Sequence, residues 1–197
     1  WNHPDMPWDA TTCQLAALDD QGIPFAAETI AGGAGESVFQ PQWSPDGDLF
    51  FVSDRTGWWN LYRYRQCQTE ALCPVAAEFA TPQWVYGMST YGFLSAQELV
   101  CTYTKDGLWF LAKLSLADGQ LIELNTQLND ISAIVASDNI AAFIGASATD
   151  APALFMLNAK TGQLQQCYPT STEKNLANKY ISQAESISFP TTGGTTA

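Results

Sequence analysis

Two serines invite comparison with an activated nucleophile. Gly87-Met88-Ser89-Thr90-Tyr91 and Gly145-Ala146-Ser147-Ala148-Thr149 are the nearest strings to Gly-x-Ser-x-Gly, the strand-to-helix elbow that exposes a catalytic serine. Each lacks the final glycine. A following acid and histidine are also needed, and the only histidine, His3, precedes both serines. No Ser-His-Asp triad is expected. Arg55 is the sharper candidate, because a guanidinium suits a carbonyl or carboxylate. The plainer reading is structural: Asp54 accepts backbone N–H bonds and Arg55 braces a neighbouring loop. Of Trp58 and Trp59, one is expected to pack inward. The carboxylates are scattered in turns, with no pair placed as an acid/base couple. No zinc site or other cofactor is expected, since there is no CxxC pair and a single histidine. Gly32-Gly33-Ala34-Gly35 precedes no helical pattern, so it reads as a loop and not as a phosphate cradle.

The elements that must position these groups are strands. Ser44-Pro45-Asp46-Gly47 is turn chemistry: Pro45 presets φ at the second turn position and Gly47 closes the turn. Leu49 to Ser53 is β-rich, and Asn60 to Tyr64 alternates with period two. Pro41-Gln42-Trp43 recurs 41 residues later as Pro82-Gln83-Trp84. Ala117-Asp118-Gly119-Gln120-Leu121 recurs 43 residues later as Lys160-Thr161-Gly162-Gln163-Leu164, with Asp20-Gln21-Gly22-Ile23 a weaker copy. Four-stranded propeller blades repeat every ~40–45 residues.

The chain therefore reads as all-β, a partial β-propeller of about three and a half four-stranded antiparallel blades. The half blade spans 11–30, with strands Thr12–Leu18 and Ile23–Ile30. The blade at 38–79 uses Val38–Trp43, Asp48–Ser53, Asn60–Arg65 and Cys73–Glu78. The blade at 82–126 uses Gln83–Met88, Glu98–Thr104, Leu108–Leu116 and Gln120–Asn125. The blade at 131–168 uses Ile131–Ala136, Ile140–Gly145, Ala153–Asn158 and Gln163–Tyr168. Only Ser171–Tyr180 suits a short helix. Trp43 and Trp84 are expected between blades. Because successive strands are antiparallel, Asp54, Arg55, Trp58 and Trp59 should share one face with 32–37 and 105–107. Ser44–Gly47 should emerge on the other. Loops carry recognition in such folds, so the first face is the expected binding face.

Composition sets bounds. At 197 residues with a net charge of −12, nucleic acid and anionic membranes are unfavourable partners. No apolar run approaches the ~20 residues of a membrane span. The five scattered cysteines suit a reducing, cytoplasmic setting, although Cys67 and Cys73 could face each other across a hairpin turn. No leader and no initiator Met is in view, which suggests a piece of a longer protein.

Three stretches carry a family resemblance: Trp1-Asn2-His3-Pro4-Asp5-Met6-Pro7-Trp8-Asp9, then 36–47 with Ser44-Pro45-Asp46-Gly47, then Ser53-Asp54-Arg55-Thr56-Gly57-Trp58-Trp59-Asn60-Leu61-Tyr62. Together they resemble the propeller of the prolyl oligopeptidase family, in its dipeptidyl aminopeptidase/acylaminoacyl-peptidase branch. Residues 185–194 resemble the strand that leaves such a propeller, so 1–180 reads as propeller and 181–197 as an exit toward an α/β-hydrolase domain. The resemblance implies a non-catalytic segment of a serine peptidase. Its partners would be that catalytic domain and short peptides, which it gates and orients. Arg55, Trp58, Trp59 and Glu36 are the implied substrate or interdomain contacts, Glu36 toward a peptide amino terminus. A stand-alone propeller that docks a protein partner is the rival reading. An unclosed ring leaves blade faces and edges open, so homo-oligomers are expected, or packing of Pro4–Trp8 and Ile187–Phe189 over those faces.

Overall fold

The computed structural model describes residues 1–169, 180–182, 185, 187–194 and 196. Fourteen strands follow one another: β1 Thr12–Leu18, β2 Pro24–Gly32, β3 Val38–Trp43, β4 Leu49–Ser53, β5 Asn60–Arg65, β6 Gln68–Ala71, β7 Tyr91–Phe93, β8 Glu98–Lys105, β9 Leu108–Ser115, β10 Leu121–Leu124, β11 Asp130–Ser137, β12 Ile140–Ala146, β13 Ala153–Asn158 and β14 Gln163–Pro169. No α-helix occurs among the described residues. β1 and β2 form a two-stranded sheet, and β3–β6, β7–β10 and β11–β14 form three four-stranded meanders, all antiparallel. This is the expected all-β architecture of three and a half blades.

Side-chain alternation stacks the blades. In β4, Leu49 and Phe51 face the β1–β2 hairpin, packing with Cys13, Ala31 and Tyr62. Phe50 and Val52 face the opposite way and pack with Tyr91, Phe93, Leu99 and Cys101 of the next sheet. β8 does the same, sending Leu99, Cys101 and Tyr103 backward and Val100 forward toward Ile131, Ala141 and Phe143. Strands buried on both faces read as continuous apolar runs, which is why Leu49–Val52 and Leu99–Tyr103 lack polar alternation.

The first strands of the second and fourth blades bulge, and each bulge ties its blade to a neighbour. Gln40 takes φ +49°, at the register shift between Phe39 and Gln42. There its side chain acts as a peptide group: Nε2 donates to Tyr91 O at 2.8 Å and Oε1 accepts Thr90 N at 2.7 Å. Tyr91 Oη returns a bond to Gln40 O at 2.8 Å. Ala133, at φ +53°, marks the equivalent bulge in β11, where Ser89 Oγ donates to Ile134 O at 2.7 Å.

Three expectations fail locally. The fourth strand of the second blade is β6, not Cys73–Glu78. Gln66 and Cys67 both take positive φ, at +50° and +60°, so the hairpin turns within two residues and pairing resumes at Gln68. The buried Cys73, Ala77 and Phe79 belong to the long connection instead. Cys67 is exposed, Cys73 is buried, and all five cysteines are free thiols. Gln83–Met88 forms no strand, and the inner strand of the third blade is the short β7. Gly92 sits there because a Cβ would lie 2.9 Å from Ala136 N of β11. Pro41-Gln42-Trp43 and Pro82-Gln83-Trp84 are thus not equivalent. The glycine turns are: Gly22, Gly119 and Gly162 take φ +78°, +71° and +72° between the strands of outer hairpins. The helix expected at Ser171–Tyr180 lies almost wholly outside the described residues.

Candidate functional site

One end of the blades collects the β2–β3 and β4–β5 loops, the β6–β7 connection and the β8–β9 turn. Ser37 N donates to Asp54 Oδ1 at 2.7 Å, and Gly57, at φ +84°, lets its N–H close on Asp54 O at 2.7 Å. Arg55 turns across to Glu36. Its Nη2 and Nε lie 2.8 and 3.0 Å from Glu36 Oε1, which also accepts Ser53 Oγ at 2.6 Å. The guanidinium carbon stands 4.8 Å from the Tyr62 ring centroid and 5.8 Å from that of Phe51. Arg55 is thus neutralised by Glu36 and laid over an aromatic face, an arrangement that pins the two loops together. Both side chains keep some exposure, at 30% and 22%, so the pair's own stabilisation is only ~1 kcal/mol.

The two tryptophans separate. Trp58 is exposed, while Trp59 is half-buried against the core between the second and third blades. Trp59 N donates to Glu78 Oε2 at 2.9 Å and Trp59 O accepts Phe79 N at 2.7 Å. Glu78 in turn exchanges both backbone bonds with Thr104 at the end of β8. The β4–β5 loop, the β6–β7 connection and the β8–β9 turn therefore lie side by side.

The N-terminal segment joins this end. Ser37 Oγ donates to Pro7 O at 3.2 Å, and the Trp8 and Trp84 rings meet with centroids 4.5 Å apart. Pro4–Trp8 thus lies along the loop end and not across an open blade face. Ile187 and Phe189 are 71% and 54% exposed. Neither Trp43 nor Trp84 packs between blades: they are 55% and 70% exposed. Trp43 ends β3 beside the Ser44 turn, and Trp84 stands in the irregular connection.

A second concavity, a cleft of about 820 Å³, opens at the same end between the third and fourth blades. Trp109 and Phe110 form one wall, with Glu123, Asn129 and Asp150 supplying polar groups. Tyr103 Oη donates to Glu123 Oε1 at 2.5 Å, and burial together with that carboxylate pushes the phenol well above its ordinary range. The serines of the elbow-like strings are committed elsewhere. Ser147 Oγ donates to Asp150 Oδ2 at 2.6 Å, and Ser89 Oγ serves the β11 bulge. His3 is exposed near the N-terminus. Among the described residues, neither hydroxyl has an imidazole partner.

The sequence reading missed three contributors to this end: Glu78, the Gln40 clamp and the aromatic tip at Trp84–Tyr86. Glu78 carried a faint signal, as an acid flanked by apolar Ala77 and Phe79.

No family model matches the chain, and no curated protein matches it. Solved structures do. Puromycin hydrolase superposes with a TM-score of 0.90 at 28% identity, covering 100% of this chain and 30% of that one. A Mycobacterium tuberculosis puromycin-hydrolyzing peptidase superposes at 0.83 with 29% identity, over 93% of this chain and 28% of that one. Prolyl oligopeptidase B from Galerina marginata, at 8% identity and a TM-score of 0.67 over 97% of this chain, shares the fold alone. The chain spans about three-tenths of the length of the puromycin-hydrolysing structures it matches. Over its described length, this chain has the fold of the propeller portion of puromycin hydrolase, a fold that prolyl oligopeptidases share.

Proposed function

We propose that this chain is the non-catalytic propeller segment of a serine peptidase of the dipeptidyl/acylaminoacyl-peptidase kind. In this reading its loop end faces an α/β-hydrolase domain of the same polypeptide, reached through 181–197, and gates and orients short peptides. The match to puromycin hydrolase over the whole chain carries the proposal. The loop end supports it by being concave, aromatic and braced. Glu36 and Arg55 hold two loops in register, Trp59 anchors the β4–β5 loop in the core, and Trp58 is left free to touch a peptide or the partner domain. The free thiols of all five cysteines support a cytoplasmic setting.

The test has two arms. Purified alone, the chain should hydrolyse no aminoacyl or peptide substrate. In the longer protein, Arg55→Ala should raise KM for a short peptide about three- to tenfold with a smaller change in kcat, as expected when an element that positions substrate is loosened. Turnover by the isolated chain, or an adjoining coding region without a Gly-x-Ser-x-Gly domain, defeats the reading. The second result favours a stand-alone protein-binding propeller.

A further inference from the structure

The cleft between the third and fourth blades carries charge that nothing in it answers. Its lining includes Glu123 and Asp150 but no Lys, Arg or His. Neither carboxylate belongs to an ion pair among the described residues, whereas Glu36, Asp48, Glu70 and Glu98 each do. Solvated carboxylates on a convex surface need no partner. In a concavity with apolar walls, one sign of charge focuses the field and concentrates groups of the opposite sign.

Both acids are held in place. Glu123 Oε1 accepts the Tyr103 hydroxyl, and Tyr103 stacks on Phe110 with ring centroids 5.3 Å apart. Asp150 Oδ2 accepts Ser147 Oγ at 2.6 Å and Thr149 Oγ1 at 3.2 Å. Asn129 Oδ1 accepts Ala148 N at 2.8 Å, which ties this β12–β13 loop to the β10–β11 connection. The hydroxyl bonds to Asp150 all fall on Oδ2, so Oδ1 keeps its accepting capacity. The cleft also has an aromatic wall. Trp109 rests on the core between the third and fourth blades and is only half-buried, and Leu108 before it is exposed. At about 820 Å³ the cleft falls within the ~300–1,000 Å³ range of ligand sites.

A carboxylate and an indole lining one cleft suit a guanidinium above other cations. Its planar fork matches a carboxylate, and its face stacks on an aromatic ring. We infer that the cleft receives an arginine side chain of a peptide, with its guanidinium paired to Asp150 and laid against Trp109. The inference rests on the peptide-facing reading of the loop end and gives that reading a side-chain preference. Glu123, partly occupied by Tyr103, adds attraction at longer range.

The test is a calorimetric titration of the full chain with acetyl-Gly-Arg-Gly-amide and with its Gly-Gln-Gly and Gly-Gly-Gly counterparts. Capped ends remove the terminal charges. Salt at about 0.15 M, where the screening length is ~8 Å, suppresses general attraction to an acidic chain. The arginine peptide should bind about tenfold or more tightly than either counterpart, as expected for a charge-assisted pair. Asp150→Asn should remove most of that preference. Asp46→Asn, which removes the same charge from the exposed turn at the other end, should leave it intact. Asp150 is exposed and asparagine keeps an oxygen for the Ser147 and Thr149 hydroxyls, so folding is not at stake. The arginine peptide should also slow amide exchange at 147–150 and not at 44–47. Equal affinities for the three peptides, a preference lowered equally by both substitutions or by neither, or no protection at 147–150 overturns the inference. A longer protein that hydrolyses peptides while the three bind this chain alike defeats the arginine site and leaves the proposed function standing.

Discussion

Single side chains replace backbone in this molecule. Asn60 is buried, with Nδ2 donating to Val75 O at 3.0 Å and Oδ1 accepting Val75 N at 2.9 Å. Gln40 does the same for the Thr90–Tyr91 segment. Truncating either leaves a peptide donor and acceptor without partners in a dry interface. Gln40→Ala and Asn60→Ala should each cost about 1–3 kcal/mol in urea unfolding, whereas Gln21→Ala in an exposed turn should cost almost nothing. The thiols give a pH test. Burial pushes Cys73 up to about 11 from 9.0, and Cys13 and Cys101 up as well. The folded state keeps these protons to higher pH than the unfolded chain does. Their contribution is therefore fully present below pH 9 and is lost as pH rises from 9 through about 11. Thermal melts should fall across that window, and Cys73→Ala should flatten the fall. An unchanged slope contradicts the assignment. Exposed Cys67 and Cys167 should react with a thiol reagent well before the other three. The residue scale was the least legible in sequence. Arg55 was visible as a brace, but Trp43 and Trp84 looked like core because aromatic size signals burial, and only three-dimensional placement shows that they stand at strand ends and loop tips.

Elements were read better, and the reason is local chemistry. Pro45-Asp46-Gly47 and the glycine turns constrain φ within a few residues, so β1, β3, β4, β5 and the last seven strands fell close to their expected bounds. The misses came where long-range packing overrode pattern. Cys73–Phe79 is apolar enough for a strand, yet its hydrogen bonds go to Trp59, Asn60 and Thr104 and not to a ladder. The glycine turns also yield a paired test. Gly119 and Gly162 share the same turn and nearly the same φ, but a Cβ at Gly119 would lie 2.3 Å from Leu72 O, while that at Gly162 meets open space. Gly162→Ala should cost ~1 kcal/mol, from the left-handed backbone alone. Gly119→Ala should cost clearly more, because the β9–β10 turn must retreat from the connection it supports. Equal losses in paired denaturation curves would show that the contact at Leu72 is not maintained in solution.

At the scale of the whole molecule, each blade relies on its neighbours for burial, and among the described residues each terminal sheet has a neighbouring sheet on one face only. In the last sheet, Val135 pairs through Ala142 with Met156, so these residues line one face, and the exposed Tyr168 opposite Leu154 extends it. The reverse face of the same strands carries Ile131, Ala141, Phe143 and Leu157, all buried against the third blade. In the first hairpin, Leu18, Ile23 and Phe25 are exposed at its far end. A face with this spacing of apolar residues is built to carry another sheet, and an isolated chain can satisfy it only with a second copy. The chain alone should therefore self-associate at ~100 μM, a concentration at which open apolar faces and strand edges pair. Val135→Lys with Met156→Lys should shift sedimentation toward the monomer without lowering stability, since both side chains already meet water. In the longer protein the same substitutions should destabilise instead, because an adjoining blade would then bury two unpaired ammonium groups. Opposite signs in the two settings distinguish a blade-bearing face from an ordinary apolar surface, and equal, small effects in both would rule it out.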